Sequence, residues 1–284
     1  RRRRAARRVW RRGVTHRVAA LARLCVVQQG PTRAAAASAS HAPTRIANAP
    51  ARSEWCVRQA QLQCAAAIPR PAALQPSVRA KPEHRLVPCH RLTIHQQMDV
   101  LELHAAHGYL LHQFLSPLSN QRDDSYGGSL GNRMRYPLEI FDAVRAVWPQ
   151  DRPLLVRVSA SDWVEGGWDV EQTASFAEAL QDRGCSALHV SSGGNSPFQQ
   201  IDIGPGYQVG FADFIRQRVD MPVIAVGMIT DPFQAETIIR AGQADMVALA
   251  REFLRDPHWV WRAAKALHAT SSVPQQYKRA ISFD

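Results

Sequence analysis

The sequence is short of several things, and each shortage excludes something. Only five cysteines stand among 284 residues, at positions 25, 56, 64, 89 and 185, with no CxxC pair. That spacing fits neither a zinc ligand set nor a disulfide framework, and it predicts reduced thiols in a cytoplasmic protein. No apolar run approaches the roughly 18 residues a membrane-spanning helix needs, so none is expected. No GxGxxG fingerprint follows any candidate strand, which speaks against a Rossmann dinucleotide site. Acidic residues are nearly missing from the first 100 positions, where Glu54, Glu83 and Asp99 face 18 Arg and one Lys, a net charge of +16. Glycine is scarce there too, with Gly13 and Gly30 alone.

What is present divides the chain in two. Residues 101–284 carry 16 Lys+Arg and 21 Asp+Glu, a net charge of −5. The sequence pI near 10.2 is therefore set by the first third. That third opens with "RRRRAARRVWRRG" and includes the run "RAAAASAS". It holds no sustained apolar period of 3.6 or 2. An organelle transit segment, a basic nucleic-acid-binding tail and a signal segment at "VAALARLCVV" are alternatives. The last is interrupted by Arg23, and the second has only Trp10 and Trp55 as aromatics. The absence of an initial Met and the excess of Arg over Lys match GC-rich DNA read in a wrong frame. The expectation is that residues 1–97 are an irregular, disordered or frame-shifted segment, that residues 98–284 are the folded unit, and that no nucleic acid is bound.

From Asp99 onward, short apolar runs alternate with amphipathic stretches. Strands are predicted at "DVLELHA" (99–105), "PLLVRVSA" (153–160), "ALHVSS" (187–192), "PVIAVG" (222–227) and "DMVALA" (245–250). Helices are predicted over 133–148, 169–184, 211–219 and 231–242. The last starts at "TDPFQA", with a capping residue before a first-turn Pro, and closes at "RAG". Such alternation means a parallel β/α architecture, which places function at the C-terminal ends of strands. His104 and His107, Arg157, Ser191–Gly194, Gly227 and Arg251 all fall at or near such ends. Five occupied strand ends favour a barrel rim over the single crevice of a doubly wound sheet.

The most informative stretch is "HAAHGYLLHQFLSPLSNQRDDSYGGS", residues 104–129. On residue types alone it could be a metal site, a core segment or the lip of an active site. The metal reading is weakened because no carboxylate lies within HAAH, and Glu102 belongs to the preceding strand. No metal is expected.

These residues resemble the old yellow enzyme family, the FMN-dependent NAD(P)H oxidoreductases on a TIM (β/α)8 barrel, in its thermophilic-like NADPH dehydrogenase branch. The likeness runs on through "LLVRVSASDWVEGGW", "HVSSGG", "GPGYQV", "AVGMITDP", "ADMVALAREFLRDP" and "PQQYKRA", about residues 99–280. It implies barrel strands four through eight, with strands one to three not recognisable in residues 1–98. Gly131 departs from the family's usual Glu.

The resemblance implies roles. His104 and His107 would donate hydrogen bonds to the carbonyl oxygen of an enone and stabilise the enolate, and the alternative is a pair of satisfied loop histidines. Tyr109 would deliver the proton to the α-carbon, or be a rim aromatic only. Arg157, inside an apolar strand, needs a partner. It would lie against the flavin N1–C2 carbonyl edge, or else form a buried ion pair. Gly227, Ala250 and Arg251 would hold the FMN phosphate, where TIM barrels bind phosphate. Arg279 would reach into a neighbouring subunit's site, making a homo-oligomer, or be a solvated tail charge. His112 is read as structural, and Ser191–Gly194 as shaping a loop without chemistry. The implied activity is reduction of activated C=C bonds with FMN and NAD(P)H. The alternative is an inactive chain lacking half its barrel.

Overall fold

The computed structural model describes residues 99–280. The Arg-rich segment expected to stand apart, with its four cysteines, lies outside the described residues.

Within them, five strands form one parallel sheet in sequential order. They are β1 (Leu101–Ala105), β2 (Leu154–Ser159), β3 (Ala187–Ser191), β4 (Val223–Val226) and β5 (Met246–Ala248). The helices are α1 (Leu110–Leu115), α2 (Leu130–Val147), α3 (Val170–Asp182), α4 (Val209–Arg216), α5 (Pro232–Arg240), α6 (Arg251–Arg255) and α7 (Trp259–Ala266). An order without reversal has no topological switch point. It is the winding of a barrel wall, not of a doubly wound sheet. Among the described residues, β1 and β5 each have one strand neighbour.

The two sheet faces have different company. Leu101 and Leu103, Leu154 and Val156, Leu188 and Val190, Val223 and Val247 join the cluster that packs on the helices. The alternate positions Leu155, Ala187, Ile224 and Ala248 form a second, smaller cluster with Val100, Val226 and Met246. Side chains in a strand alternate faces, so Glu102, His104, Arg157, Ser159, His189 and Ser191 share that second, inner face. The register confirms it, since His104, Arg157 and His189 lie abreast on β1, β2 and β3.

Helix starts follow their capping chemistry. Ser129, Asp169 and Asp231 accept from the backbone N–H of Asn132, Gln172 and Gln234 respectively, and Pro232 takes the first position of α5. Gly131 sits inside the first turn of α2, which the Ser129 cap secures. Trp259 on α7, a helix the sequence pattern did not single out, is buried, and its Nε1–H donates to Thr230 O at 2.7 Å. β5 ends at Ala248, short of the expected Ala250. Its partner strand stops at Val226, because Gly227 (φ +135°) turns the chain away and leaves no ladder beyond. No helix among the described residues is long and apolar enough to cross a membrane.

Candidate functional site

β1 delivers His104 on its inner face, and the chain then turns sharply. His107 (φ +57°) and Gly108 (φ +74°) both adopt the left-handed conformation. At Gly108 no other residue fits, because an added Cβ would stand 2.5 Å from Gly194 O. The turn brings His107 back beside His104, with ring centroids 5.2 Å apart, and sets Tyr109 against His104 at 4.9 Å. Tyr109 is 43% exposed, at the mouth of the site.

Three further bonds fix His107. Its backbone N–H donates to Ser159 Oγ at 3.0 Å, and Ser159 in turn donates to Gly193 O at 2.8 Å. Its Nε2 lies 2.8 Å from Ser191 Oγ. Ser191 was expected to shape a loop without chemistry, yet its hydroxyl contacts the second histidine directly. The available signal was its place in the strand: Ser191 alternates with Val190 and so shares the inner face with His189.

Burial, and then the Arg157 charge, push the His107 pKa down to about 2. The same causes push His104 down to about 4, partly opposed by Glu102. Both rings are therefore neutral near pH 7, each with one N–H to donate. Arg157 is 3% exposed on β2. Burial lowers its pKa, and the Glu102 carboxylate on the neighbouring strand opposes that. Glu102 also pairs with His189 Nδ1 at 3.0 Å. Burial raises the Glu102 pKa, but His189 and Arg157 outweigh it and hold the carboxyl below its ordinary value.

A cleft of about 310 Å³ runs from His107 and Arg157 to the ends of β4 and β5, where Gly227, Ala250 and Arg251 line it. At Gly227 the backbone conformation is one that side chains rarely adopt, and a Cβ would meet Gln208 Nε2 at 2.9 Å. The Gly227 carbonyl accepts from Gly206 N–H at 2.8 Å. Gln208, which sequence reasoning passed over, accepts from Ser192 Oγ at 2.6 Å and donates to Val226 O at 2.9 Å. It thus joins the loops after β3 and β4.

Seven of the eight expected site residues thus surround one region: His104, His107, Tyr109, Arg157, Gly227, Ala250 and Arg251. Arg279 does not join them. It is exposed beyond the last helical turn, Gln275–Tyr277, and does not line the cleft. No cluster of three metal-ligating side chains occurs among the described residues.

A family model described as the NADH:flavin oxidoreductase / NADH oxidase family matches residues 84–270. The chain belongs to this family. The match opens ahead of residue 98, where the folded unit was expected to start. The NADPH dehydrogenase of Geobacillus thermodenitrificans is 49% identical over 185 residues, which cover 65% of this chain and 54% of that protein. The chain spans about half the length of the curated relatives it matches. Among solved structures, morphinone reductase superposes with a TM-score of 0.54 at 29% identity, covering 68% of this chain and 50% of the other. The old yellow enzyme homologue from Zymomonas mobilis gives a TM-score of 0.55 at 24% identity, covering 70% and 57%. That last likeness speaks to fold alone, and the fold is the TIM barrel of old yellow enzymes, here as five consecutive βα units. FMN is the cofactor of this oxidoreductase family, and NAD(P)H its reductant.

The residues present fit one edge and one end of FMN. Arg157 supplies a buried cation on the inner wall. Gly227 and Arg251 line the far end of the cleft, where the guanidinium offers donors to an anion.

Proposed function

We propose that this chain carries the substrate half of an FMN-dependent ene-reductase, which reduces activated C=C bonds of enones and related electrophilic alkenes. The observation that supports it most is the pair of neutral imidazoles, His104 and His107, held 5.2 Å apart beside Tyr109.

Bound FMN would supply the two-electron chemistry, between NAD(P)H and the alkene. Arg157 would hold negative charge at the flavin edge, and Gly227, Ala250 and Arg251 would hold its phosphate. His104 and His107 would donate to the substrate carbonyl oxygen, where negative charge develops as the double bond is reduced. Two donors fixed beforehand need no reorganisation at that moment, and each such donor is typically worth about 3 kcal/mol of barrier. Neutrality suits this role, because an imidazolium would bind the oxygen strongly before reaction and would compete as an acid. Tyr109, at the open side, would give the proton to the α-carbon. Its exposure lets solvent replace that proton afterwards. Arg279, on an exposed tail, would reach a second subunit's site in a homo-oligomer. The compartment that suits this chemistry is the cytoplasm.

The test is NADPH oxidation by the FMN-loaded full-length chain with and without 2-cyclohexen-1-one. Oxidation that depends on the alkene supports the reading; a flavin-loaded protein indifferent to the alkene overturns it. A second reading is favoured by the unpaired outer edges of β1 and β5 among the described residues. It holds that this chain alone leaves its barrel open and inactive, and failure to retain FMN would support it.

A further inference from the structure

His112 was read from sequence as merely structural, but its bonds lead to the reacting end of the site. Side chains on a helix lean toward its N-terminus. From the first turn of α1 the His112 ring therefore reaches back to the turn that carries His107. Gly108 N–H donates to His112 Nδ1 at 2.9 Å. An Nδ1 that accepts carries no proton, so the ring proton sits on Nε2. That atom lies 3.1 Å from Asp162 Oδ1, a charge contact that favours the proton there. The Asp162 side chain lies in the loop after β2. Its Oδ2 accepts from Ser116 Oγ at 2.5 Å and from Trp168 N–H at 2.9 Å. Asn195 Nδ2, from the loop after β3, stands 3.5 Å from the same oxygen. His112 and Asp162 are both fully buried.

We propose that the Asp162–His112 pair is a positioning device for His107: it holds the Gly108 amide and so keeps the left-handed His107–Gly108 turn that aims the second imidazole. First, the turn is one a histidine rarely adopts, so it persists only if the surroundings over-determine it. Second, Gly108 N–H is part-buried near the helix start, where no intrahelical acceptor exists for it, and His112 Nδ1 accepts from it. Third, Asp162 fixes the tautomer. Without a carboxylate at Nε2, the ring could carry its proton on Nδ1 and would then repel the Gly108 N–H. A carboxylate, a histidine and a backbone amide thus form a chain that ends one residue from His107. Neither His112 nor Asp162 touches the cleft, so both act through the turn.

The inference rests on the ene-reductase reading for its consequence, but not for its geometry, and the test separates the two. Full-length protein prepared with FMN is compared as wild type, His112→Phe and His112→Asn. Asparagine places an oxygen where Nδ1 stood and keeps the acceptor; phenylalanine keeps the ring and removes it. Amide exchange at Gly108 is measured in each. In the same samples, kcat and KM for 2-cyclohexen-1-one are measured with NADPH. The His112→Phe exchange at Gly108 is expected to speed up about tenfold, the loss of one buried hydrogen bond. kcat is expected to fall more than KM rises, with flavin content unchanged. His112→Asn is expected to recover most of both. Unchanged exchange in His112→Phe overturns the proposal, and so does faster exchange with unchanged kcat. If the phenylalanine variant does not fold, the asparagine variant decides: loss of Gly108 protection there overturns it. A wild type with no alkene-dependent oxidation would overturn the ene-reductase reading instead, and the exchange comparison would still decide the positioning role.

Discussion

The two halves of the sheet use the same βα unit for different purposes. On β1, β2 and β3 the inner face is polar, with Glu102, His104, Arg157, Ser159, His189 and Ser191 crowded together. On β4 and β5 the inner face is apolar, with Ile224, Val226, Met246 and Ala248. The first half works through side chains, and each needs a bond to hold it: Ser159 and Ser191 for His107, Glu102 for His189. In the proposed reading the second half works at its strand ends, with a glycine and one guanidinium. Side-chain chemistry therefore demands an outer layer of fixed partners, while a glycine turn demands only shape.

Several substitutions would break or sharpen that contrast. The largest effect is expected from His107→Ala, which should lower kcat for alkene reduction by about 100-fold, near 3 kcal/mol, with FMN still bound. If flavin is lost instead, the division between the halves is wrong. Gly108→Ala should destabilise the fold by about 3 kcal/mol, read in a denaturant melt, because the new Cβ meets Gly194 O and the backbone is left-handed. A loss under about 1 kcal/mol would mean the two loops can separate. On the other half, Arg251→Ala should weaken FMN binding by roughly 2 kcal/mol while the loaded fraction keeps its kcat, measured by flavin titration and single turnover. A changed kcat would show that the phosphate end also sets the chemistry.

Acid should act first on the polar half. His104 and His107 bind protons less readily folded than unfolded, so the unfolded chain takes up more protons as pH falls below 6.5. Asp162 shifts the same way. Burial raises its pKa, but bonds from His112, Ser116 and Trp168 hold it below its ordinary value. Stability should thus drop between pH 6.5 and 4 on account of the histidines, by on the order of 2–3 kcal/mol from His104 alone, and the Asp162 contribution follows at lower pH. Thermal melts across that range that show no drop would contradict the neutral-imidazole site. The smallest effect should come from Asp142→Ala, which removes an exposed partner of Arg183 on the outer layer and should cost under about 0.5 kcal/mol.

Among the described residues, all five strands and four of the seven α-helices could be placed from hydrophobic period and caps, because local propensity and the inner–outer alternation agree along this part of the chain. The boundaries were less legible. β5 stops where Gly227 ends its partner, and no feature within residues 246–250 records that. Seven of the site residues were named from strand ends and from the family resemblance. Ser191 and His112 were named without a chemical role, and Ser159, Gln208 and Asp162 were passed over, since Ser191 meets His107 across 84 residues and Gln208 meets Ser192 across 16. Nothing local marks such a serine as a ligand to a histidine.

By itself the sequence determined the parallel βα order, the capped helices, and which side chains stand at strand ends, for these follow from spacing and residue type. Only the tertiary structure decided that His107 lies folded back against His104, that both rings are neutral, and that Asp162 sets the tautomer of His112. The reason is physical: burial, charge and hydrogen-bond partners at a site are supplied by chain segments that meet only when the strands lie abreast.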